Sequence, residues 1–391
     1  MNPIRVLSII GTRPEAVKMA PVLLCLSRNA GIESRVCATA QHRQMLDQIL
    51  NRFGLAPDID LDAMRPGQSL GQLAATLFSG LEAVLQDPRP DWILAQGDTS
   101  TVLVAALSSY YHRIRFGHVE AGLRTGDKWN PFPEEAHRRM AGLVADLHFA
   151  PTEGARQNLL HEHIPESRIL VTGSTEIDTL RLVAGQPASA EETEWLNRCG
   201  LLEEGRLLVL ATVHRREHFG LPLESICRSL RCLAEAYRSR IRLVFPMHLN
   251  PHVQEPARRF LGGTENILLL PPLDYLSMIH LMKRAALLLS DSGGLQEAAC
   301  ALGVPMLVLR EITERPEGVL AGKARLVGTD PARILSEACR LLDDPEARAA
   351  MTAAAHPYGD GHAAERIVAA LLEESARLHE PFHPARRDLP A

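Results

Sequence analysis

The chain has 391 residues, of which 46% are hydrophobic, 23% are charged and 4% are aromatic, and its formal net charge is −5. This length corresponds to two or three domains, and a composition close to the soluble average excludes a disordered or fibrous protein. Because the net charge is negative, no basic field favours nucleic-acid binding. An anionic ligand would have to be bound by a local site.

The cysteines and the N-terminal residues indicate the cellular compartment in which the protein is expected. The seven cysteines are an odd number and contain no C-x-x-C pair, which predicts reduced thiols and argues against a structural zinc site. The apolar run from Val6 to Ile10 is too short for a signal peptide. No apolar stretch reaches the ~18 residues that cross a bilayer. We therefore expect a cytoplasmic protein with no membrane partner.

Short aliphatic runs alternate with segments of helical pattern along most of the chain. The first series of runs comprises residues 4–10, 35–39, 92–95, 116–119, 147–150 and 169–171. The second series comprises residues 207–213, 243–246, 267–270, 287–289, 306–309 and 324–327. Runs that are apolar on both faces are typical of buried parallel strands. Two such series predict an α/β protein with two doubly wound, Rossmann-like domains.

The sixth run ends in the residues GST, and we place the domain boundary there. Residues 1–172 are predicted to form the first domain and residues 173–362 the second. In the last segment, 363–391, an amphipathic helix over 363–378 is expected to pack back on the first domain. The Pro- and charge-rich end of the chain is expected to be a mobile tail.

Ligands of open α/β sheets bind beyond the carboxyl ends of the strands, so the residues after each run are candidates for the site. Arg13 and Lys18 follow the first run at the start of a predicted helix, where an anion is favoured. Asp98 follows the third run and Glu120 the fourth, and Glu134 opens the next helix. Solvated cations and ordinary helix-terminal carboxylates are the alternative interpretations.

Three carboxylates in one cleft would repel one another, and at least one pKa should rise. One group could then hold a proton while another accepts one, as proton transfer at carbon requires.

The second domain is predicted to supply cations and backbone amides. His214 follows its first run, His248 its second and Arg315 its fifth, and residues 292–294 read Ser-Gly-Gly at a helix start. Consecutive amides at a helix start favour an anion. The histidines could be phosphate contacts, metal ligands or structural residues, although no H-E-x-x-H spacing is present.

Several segments together carry a resemblance to a known family. They are, in chain order, GTRPEAVKMAP, TAQHRQMLDQ, QGDTST, GHVEAGLRTG, PFPEEAHRR, TVHRREHFG, PMHLNP, DSGGLQE, TERPEGV and HPYGDG. The chain resembles the bacterial non-hydrolysing UDP-N-acetylglucosamine 2-epimerases from Arg5 to about Gly361. The resemblance implies the two-domain fold of GT-B glycosyltransferases, a homodimer, a site in the interdomain cleft and no metal or nicotinamide cofactor.

The resemblance also implies a reaction, the interconversion of UDP-N-acetylglucosamine (UDP-GlcNAc) and UDP-N-acetylmannosamine (UDP-ManNAc) through a 2-acetamidoglucal, and roles for individual residues. The implied catalytic residues are Asp98, Glu120, Glu134 and His214. The implied substrate-binding residues are Arg13, Lys18, Ser292, Gly293, Gly294 and Arg315. A second UDP-GlcNAc acting as an activator would contact Gln41, His42, Gln44, Arg215 and His248, although Gly67 stands where some members have an arginine.

The chain departs from the family pattern at several positions. Ala298 replaces a glutamate that grips the ribose hydroxyls in the family, and losing one such charge-assisted hydrogen bond costs about 1.5–3 kcal/mol. His137, Ser174, Ile312 and His356 also differ from the usual residues. Alternative activities are epimerisation of a modified or non-uridine sugar nucleotide, a hydrolysing epimerase and a GT-B glycosyltransferase.

Overall fold

The computed structural model describes residues 3–39, 49–65, 67–186, 190–201, 205–353 and 355–379. These residues form two parallel sheets with helices between the strands. The strands of the first sheet are β1 (Ile4–Ile10), β2 (Ile32–Ala38), β3 (Ile59–Asp60), β4 (Trp92–Gln96), β5 (Arg115–Val119), β6 (Leu147–Ala150) and β7 (Ile169–Val171). Their order in the sheet is β3-β2-β1-β4-β5-β6-β7. The helices of this half are α1 (Arg13–Ser27), α2 (Leu70–Val84), α3 (Ser100–Tyr111), α4 (Glu134–Val144) and α5 (Glu153–His161).

The second sheet has six strands in the order β10-β9-β8-β11-β12-β13. They are β8 (Leu207–Thr212), β9 (Ile241–Pro246), β10 (Ile267–Leu270), β11 (Ala285–Ser290), β12 (Met306–Val308) and β13 (Ala324–Leu326). The helices α6 (Thr175–Ala184) and α7 (Ala190–Arg198) precede this sheet. The helices that follow its strands are α8 (Leu221–Ala236), α9 (Pro251–Leu261), α10 (Tyr275–Arg284), α11 (Gly293–Leu302), α12 (Pro316–Leu320), α13 (Pro331–Asp343), α14 (Pro345–Ala353) and α15 (Ala363–His379).

Burial on both faces explains why the strands are continuous aliphatic runs. In β1, Val6 packs into the hydrophobic cluster on one face of the sheet, whereas Leu7 and Ile9 pack into the cluster on the other face. Successive side chains of a strand point to opposite faces, so a strand between two helical layers needs apolar residues at every position. The order of each sheet reverses direction at its first strand, which creates a crevice at the carboxyl ends where ligands bind.

The predicted α/β class with two doubly wound sheets is confirmed. All twelve predicted runs are strands, with ends that differ by up to three residues. The two-residue strand β3 was not predicted, because a pattern of that length carries no signal. No element was assigned to residues 190–198 from the sequence, but they form α7, whose Leu196 is fully buried.

The C-terminal helix α15 lies against the first sheet. Its residues Ile367, Val368 and Leu371 belong to the same hydrophobic cluster as Val6 of β1, and the Trp92 indole N–H donates a 2.9 Å hydrogen bond to the Ser375 hydroxyl. The domain boundaries drawn from the sequence stay a prediction.

Candidate active site

The turns after β4 and β5 position the first two carboxylates. Both strands are parallel neighbours that end at the same edge of the sheet, so Asp98 and Glu120 follow adjacent strand ends. Gly97 and Glu120 both have left-handed backbones, with φ of 90° and 63°. That conformation is ordinary for glycine but strained for glutamate. Strain of this kind persists only where the surroundings enforce it, and it is common at active sites.

Asp98 and Glu134 form one group of charges. Arg138 of α4 donates a 2.6 Å hydrogen bond to Asp98, and the His137 ring contacts the Asp98 carbonyl oxygen at 3.2 Å. Burial raises the pKa of Glu134, and the negative charge of Asp98 adds to the effect, although Arg215 and Arg138 oppose it. The group therefore combines an ion-paired carboxylate with one that retains its proton more readily.

Glu120 lies in a second group that crosses from one sheet domain to the other. Its Oε1 atom accepts hydrogen bonds from Lys18 of α1 and, at 2.9 Å, from Arg315. Arg315 also donates to Glu297 of α11, whose Oε1 atom lies 3.8 Å from the Lys18 ammonium. Each of these four side chains is at most 8% exposed. We call Lys18, Glu120, Glu297 and Arg315 the buried quartet.

Further ion pairs surround Arg315 in the second domain. Glu314 accepts hydrogen bonds from Arg315 at 2.7 Å, from Arg215 at 2.9 Å and from Arg310 at 2.5 Å. Burial opposes ionisation of Glu314, but these arginines outweigh it and hold its pKa well below the ordinary value. Burial also opposes the charge of Arg315, but Glu297, Glu120 and Glu314 raise its pKa.

The N-terminus of α11 offers an anion site beside Arg315. Ser292 is its N-cap residue, and among the described residues no side-chain hydrogen bond caps this end. The amides of the first turn are therefore available to an anion. A Cβ atom at Gly293 would lie 2.4 Å from Arg315 Nη1, whereas one at Gly294 would meet no atom within 4 Å. Glycine at position 293 is what allows the guanidinium to lie against the start of the helix.

Asp291 holds His214 at the end of β8. The His214 amide donates to the Asp291 carboxylate, and the His214 Nδ1 atom lies 3.2 Å from Asp291 Oδ1. His218 contacts the other carboxylate oxygen at 2.9 Å. Burial opposes ionisation of Asp291, but the two histidines outweigh it and hold its pKa far below the ordinary value. The His214 ring is 37% exposed and stacks on His248 with a centroid distance of 5.9 Å.

The start of α1 differs from the expectation. Its backbone amides were predicted to face an anion, but the Glu15 carboxylate accepts hydrogen bonds from the amides of Gly11, at 2.5 Å, and Thr12, at 3.1 Å. Glu15 therefore occupies the amides of the two residues that precede the helix, as the third helical residue of a capping box does. Arg13 is directed to the second domain, where it donates a 3.1 Å hydrogen bond to the Leu273 carbonyl oxygen.

Comparisons with known proteins agree with this architecture. The family model described as UDP-N-acetylglucosamine 2-epimerase matches residues 25–372. The chain belongs to the UDP-N-acetylglucosamine 2-epimerase family. The Yersinia pestis UDP-N-acetylglucosamine 2-epimerase is 49% identical over 96% of this chain and 100% of its own length. The Escherichia coli K12 protein of the same name is 48% identical over the same shares.

Solved structures show the same similarity. The UDP-GlcNAc 2-epimerase from Neisseria meningitidis bound to UDP-GlcNAc has a TM-score of 0.92 and 42% identity, and the match covers 95% of this chain and all of that chain. The Methanocaldococcus jannaschii enzyme in complex with UDP-GlcNAc and UDP has a TM-score of 0.82 and 30% identity over the same shares. Among the described residues, no helix is long and apolar enough to cross a membrane.

The residues proposed for an activator site in this family member are only partly described. Gln41, His42 and Gln44 lie outside the described residues. Arg215 is engaged with Glu314 and with the Asp291 carbonyl oxygen, and His248 stacks on His214. An activator site stays a prediction.

The positions that depart from the family pattern have local explanations in two cases. Ser174 donates a hydrogen bond to Glu297, and His137 contacts the Asp98 carbonyl oxygen. Ala298 is fully buried among apolar side chains, so it presents no polar group to a ligand.

Sequence reasoning assigned no role to Glu15, Asp291, Glu297 and Glu314. Each lies within a motif that was quoted for another residue, beside Arg13, Ser292 or Arg315. For Glu314, which directly precedes Arg315, adjacency to a candidate cation was the available signal, because a buried cation needs a counter-ion. Asp291 and Glu297 contact cations that are distant in the sequence.

Proposed function

We propose that this chain interconverts UDP-GlcNAc and UDP-ManNAc without net hydrolysis. The observation that carries the proposal is the meeting of carboxylates and cations across the two domains, where Arg315 of the second contacts Glu120 of the first. Membership of the family and the UDP-GlcNAc-bound relative from Neisseria meningitidis support the same substrate.

The reaction proceeds by elimination and re-addition. A carboxylate removes the proton from C2 of the sugar, the C1–O bond breaks, and UDP leaves with its electron pair while a C1–C2 double bond forms. An acid then returns a proton to the opposite face of C2, and the UDP oxygen re-forms the bond to C1. Proton transfer of this kind needs one ionised and one protonated group in reach.

The candidate residues divide between these tasks. Asp98, Glu120 and Glu134 act at C2, and the raised pKa of Glu134 suits the proton-donating role. Lys18, Arg13, Arg315, His214, Ser292 and the amides of Gly293 and Gly294 bind the diphosphate and stabilise its developing charge. We further propose a homodimer in the cytoplasm that supplies N-acetylmannosamine for surface polysaccharide.

Incubation with UDP-GlcNAc alone in D2O, followed by proton NMR, tests the proposal. We expect UDP-ManNAc with deuterium at C2 in both sugars. Free sugar together with UDP would instead identify a hydrolysing epimerase, and an unchanged substrate would contradict epimerisation of this sugar nucleotide. Parallel incubations with a modified 2-acetamido sugar nucleotide and a non-uridine one then identify the preferred substrate.

The amide variants Asp98→Asn, Glu120→Gln and Glu134→Gln belong to the same experiment. At least one should lose about 10²–10⁴-fold in turnover, the range for acid–base catalysis. Glu337→Gln on the surface of α13, which pairs with Arg325, is the matched control. Normal turnover in all three amide variants would refute the assignment of proton transfer to these carboxylates.

A further inference from the structure

Glu297 is a buried carboxylate in the second turn of α11, and both of its oxygens have partners. Oε1 accepts a hydrogen bond from Arg315 Nε and lies 3.8 Å from Lys18 Nζ. Oε2 accepts a hydrogen bond from the Ser174 hydroxyl. The side chain is 1% exposed. Glu297 therefore connects α1 of the first domain, the start of α6 and the loop before α12.

The Ser174 partner lies where the chain passes between the two sheet domains. Its hydroxyl also accepts a hydrogen bond from the Glu176 amide, which caps α6. Its own amide donates a 2.8 Å hydrogen bond to the Tyr358 carbonyl oxygen in the segment that leads back to α15. One oxygen of Glu297 is thus fixed at the crossover, and the other faces two cations.

The buried quartet is electrically neutral, because two carboxylates balance two cations. Lys18 and Arg315 share one carboxylate that the proposed reaction changes, Glu120, and one that it does not, Glu297. Arg315 also contacts Glu314, which does not reach Lys18 within ion-pair distance among the described residues. When Glu120 accepts a proton, or when a diphosphate takes its place, the cations lose or exchange that partner. Removing one partner of a buried ion pair leaves the other uncompensated. Glu297 is the remaining carboxylate that both cations share.

We propose that Glu297 is a positioning residue that holds Lys18 and Arg315 together across the cleft and balances their charge while Glu120 and the diphosphate exchange as their second partner. The inference rests on the proposed function. In this proposal Glu297 stays paired with Arg315 and Ser174 and transfers no proton.

Replacement of the charge alone tests the proposal. Glu297→Gln preserves the side-chain shape and gives the quartet a surplus positive charge. We expect UDP, titrated by calorimetry, to bind about tenfold more tightly, since the two cations lose the negative charge of Glu297 and are left with an excess of positive charge. Turnover should fall about 10- to 100-fold, because Lys18 and Arg315 then hold Glu120 and the diphosphate in an altered geometry. A purely structural defect would weaken UDP binding together with turnover.

Two variants separate charge from geometry. Glu297→Asp keeps the charge, so its UDP affinity should stay within about twofold of the unmodified chain although turnover falls. Ser174→Ala removes the hydrogen bond to the other oxygen without changing any charge, and should lower turnover several-fold at unchanged UDP affinity. These two variants decide the question if Glu297→Gln does not fold, as judged by circular dichroism.

The proposal is wrong if Glu297→Gln binds UDP no more tightly than the unmodified chain, or if its turnover is unchanged. It is also wrong if Ser174→Ala, with Glu297→Gln unfolded, keeps full turnover. Failure of the proposed function gives a different result, since the unmodified chain would then show no deuterium at C2. The UDP titrations would still measure the charge balance of the quartet in that case.

Discussion

At the scale of single residues, the partners of a buried carboxyl group decide whether its pKa rises or falls. Glu314 faces three arginines and is held ionised, whereas burial raises the pKa of Glu176 to about 7. Lys18 opposes that rise, and the nearby carboxylates of Glu297 and Glu120 add to it. The Tyr275 hydroxyl donates a 2.7 Å hydrogen bond to Glu176. The side-chain amide oxygen of a glutamine at this position would also accept that hydrogen bond.

The raised pKa of Glu176 contributes to the pH dependence of stability, as does the raised pKa of Glu15. An unfolded glutamate ionises near pH 4.3, so the folded chain binds the proton more tightly between that pH and about 7. The stabilising contribution is therefore complete below the unfolded pKa and is lost as the pH rises through the folded one. Glu176→Gln removes this loss of stability at high pH. The difference in melting temperature between Glu176→Gln and the unmodified chain should therefore be about 2–4 °C more favourable to the variant at pH 8 than at pH 5.

Differential scanning fluorimetry at the two pH values provides the measurement for Glu176→Gln. Glu373→Gln serves as the control, because Glu373 lies exposed on α15, where it pairs with Arg377. The same melting-temperature difference at both pH values would show that Glu176 does not carry the pH dependence.

At the scale of elements, the uncapped start of α11 depends on two adjacent glycines with different surroundings. In Gly293→Ala the new methyl group would lie 2.4 Å from Arg315 Nη1 and 2.9 Å from Glu314 Oε1. The ion pairs must shift, and overpacking of this kind costs about 1–3 kcal/mol. Gly294→Ala meets no atom within 4 Å, so reduced freedom of the unfolded chain should stabilise it by about 0.4–1 kcal/mol.

Melting temperatures of the two glycine variants, measured without ligand, test this difference. Gly293→Ala should melt below the unmodified chain and Gly294→Ala at or above it. Equal melting temperatures would mean that Arg315 does not pack against the start of α11 as the structure shows.

The same elements show what the sequence can and cannot predict. The strands and the residues after them follow from local patterns, since burial on both faces requires runs such as that of β1. The pairing of Glu120 with Lys18 and with Arg315 joins residues 102 and 195 positions apart, and no local pattern encodes such a contact. The capping of α1 by Glu15 was overlooked because the same amides also fit a phosphate.

At the scale of the whole molecule, exposed apolar side chains mark one part of the first domain. Tyr110 and Tyr111 at the end of α3 are 64% and 68% exposed, and Leu143 at the end of α4 is 74% exposed. The two helices pack against each other, and these exposed side chains lie at their C-terminal ends. Exposed apolar patches are uncommon on monomers and often mark an interface. We expect this surface to bind a second copy of the chain in the proposed homodimer.

Leu143→Arg tests the dimer surface without disturbing the core, since the leucine is exposed in the single chain. A symmetric interface places the substituted residue on both subunits, so two unpaired charges would be buried and the dimer should dissociate. Light scattering after size exclusion should give about twice the 43.0 kDa chain mass for the unmodified protein and one chain mass for the variant. Leu221→Arg, at an equally exposed leucine on α8 of the second domain, should remain dimeric. A dimeric Leu143→Arg would place the interface elsewhere, and a monomeric unmodified chain would contradict the dimer itself.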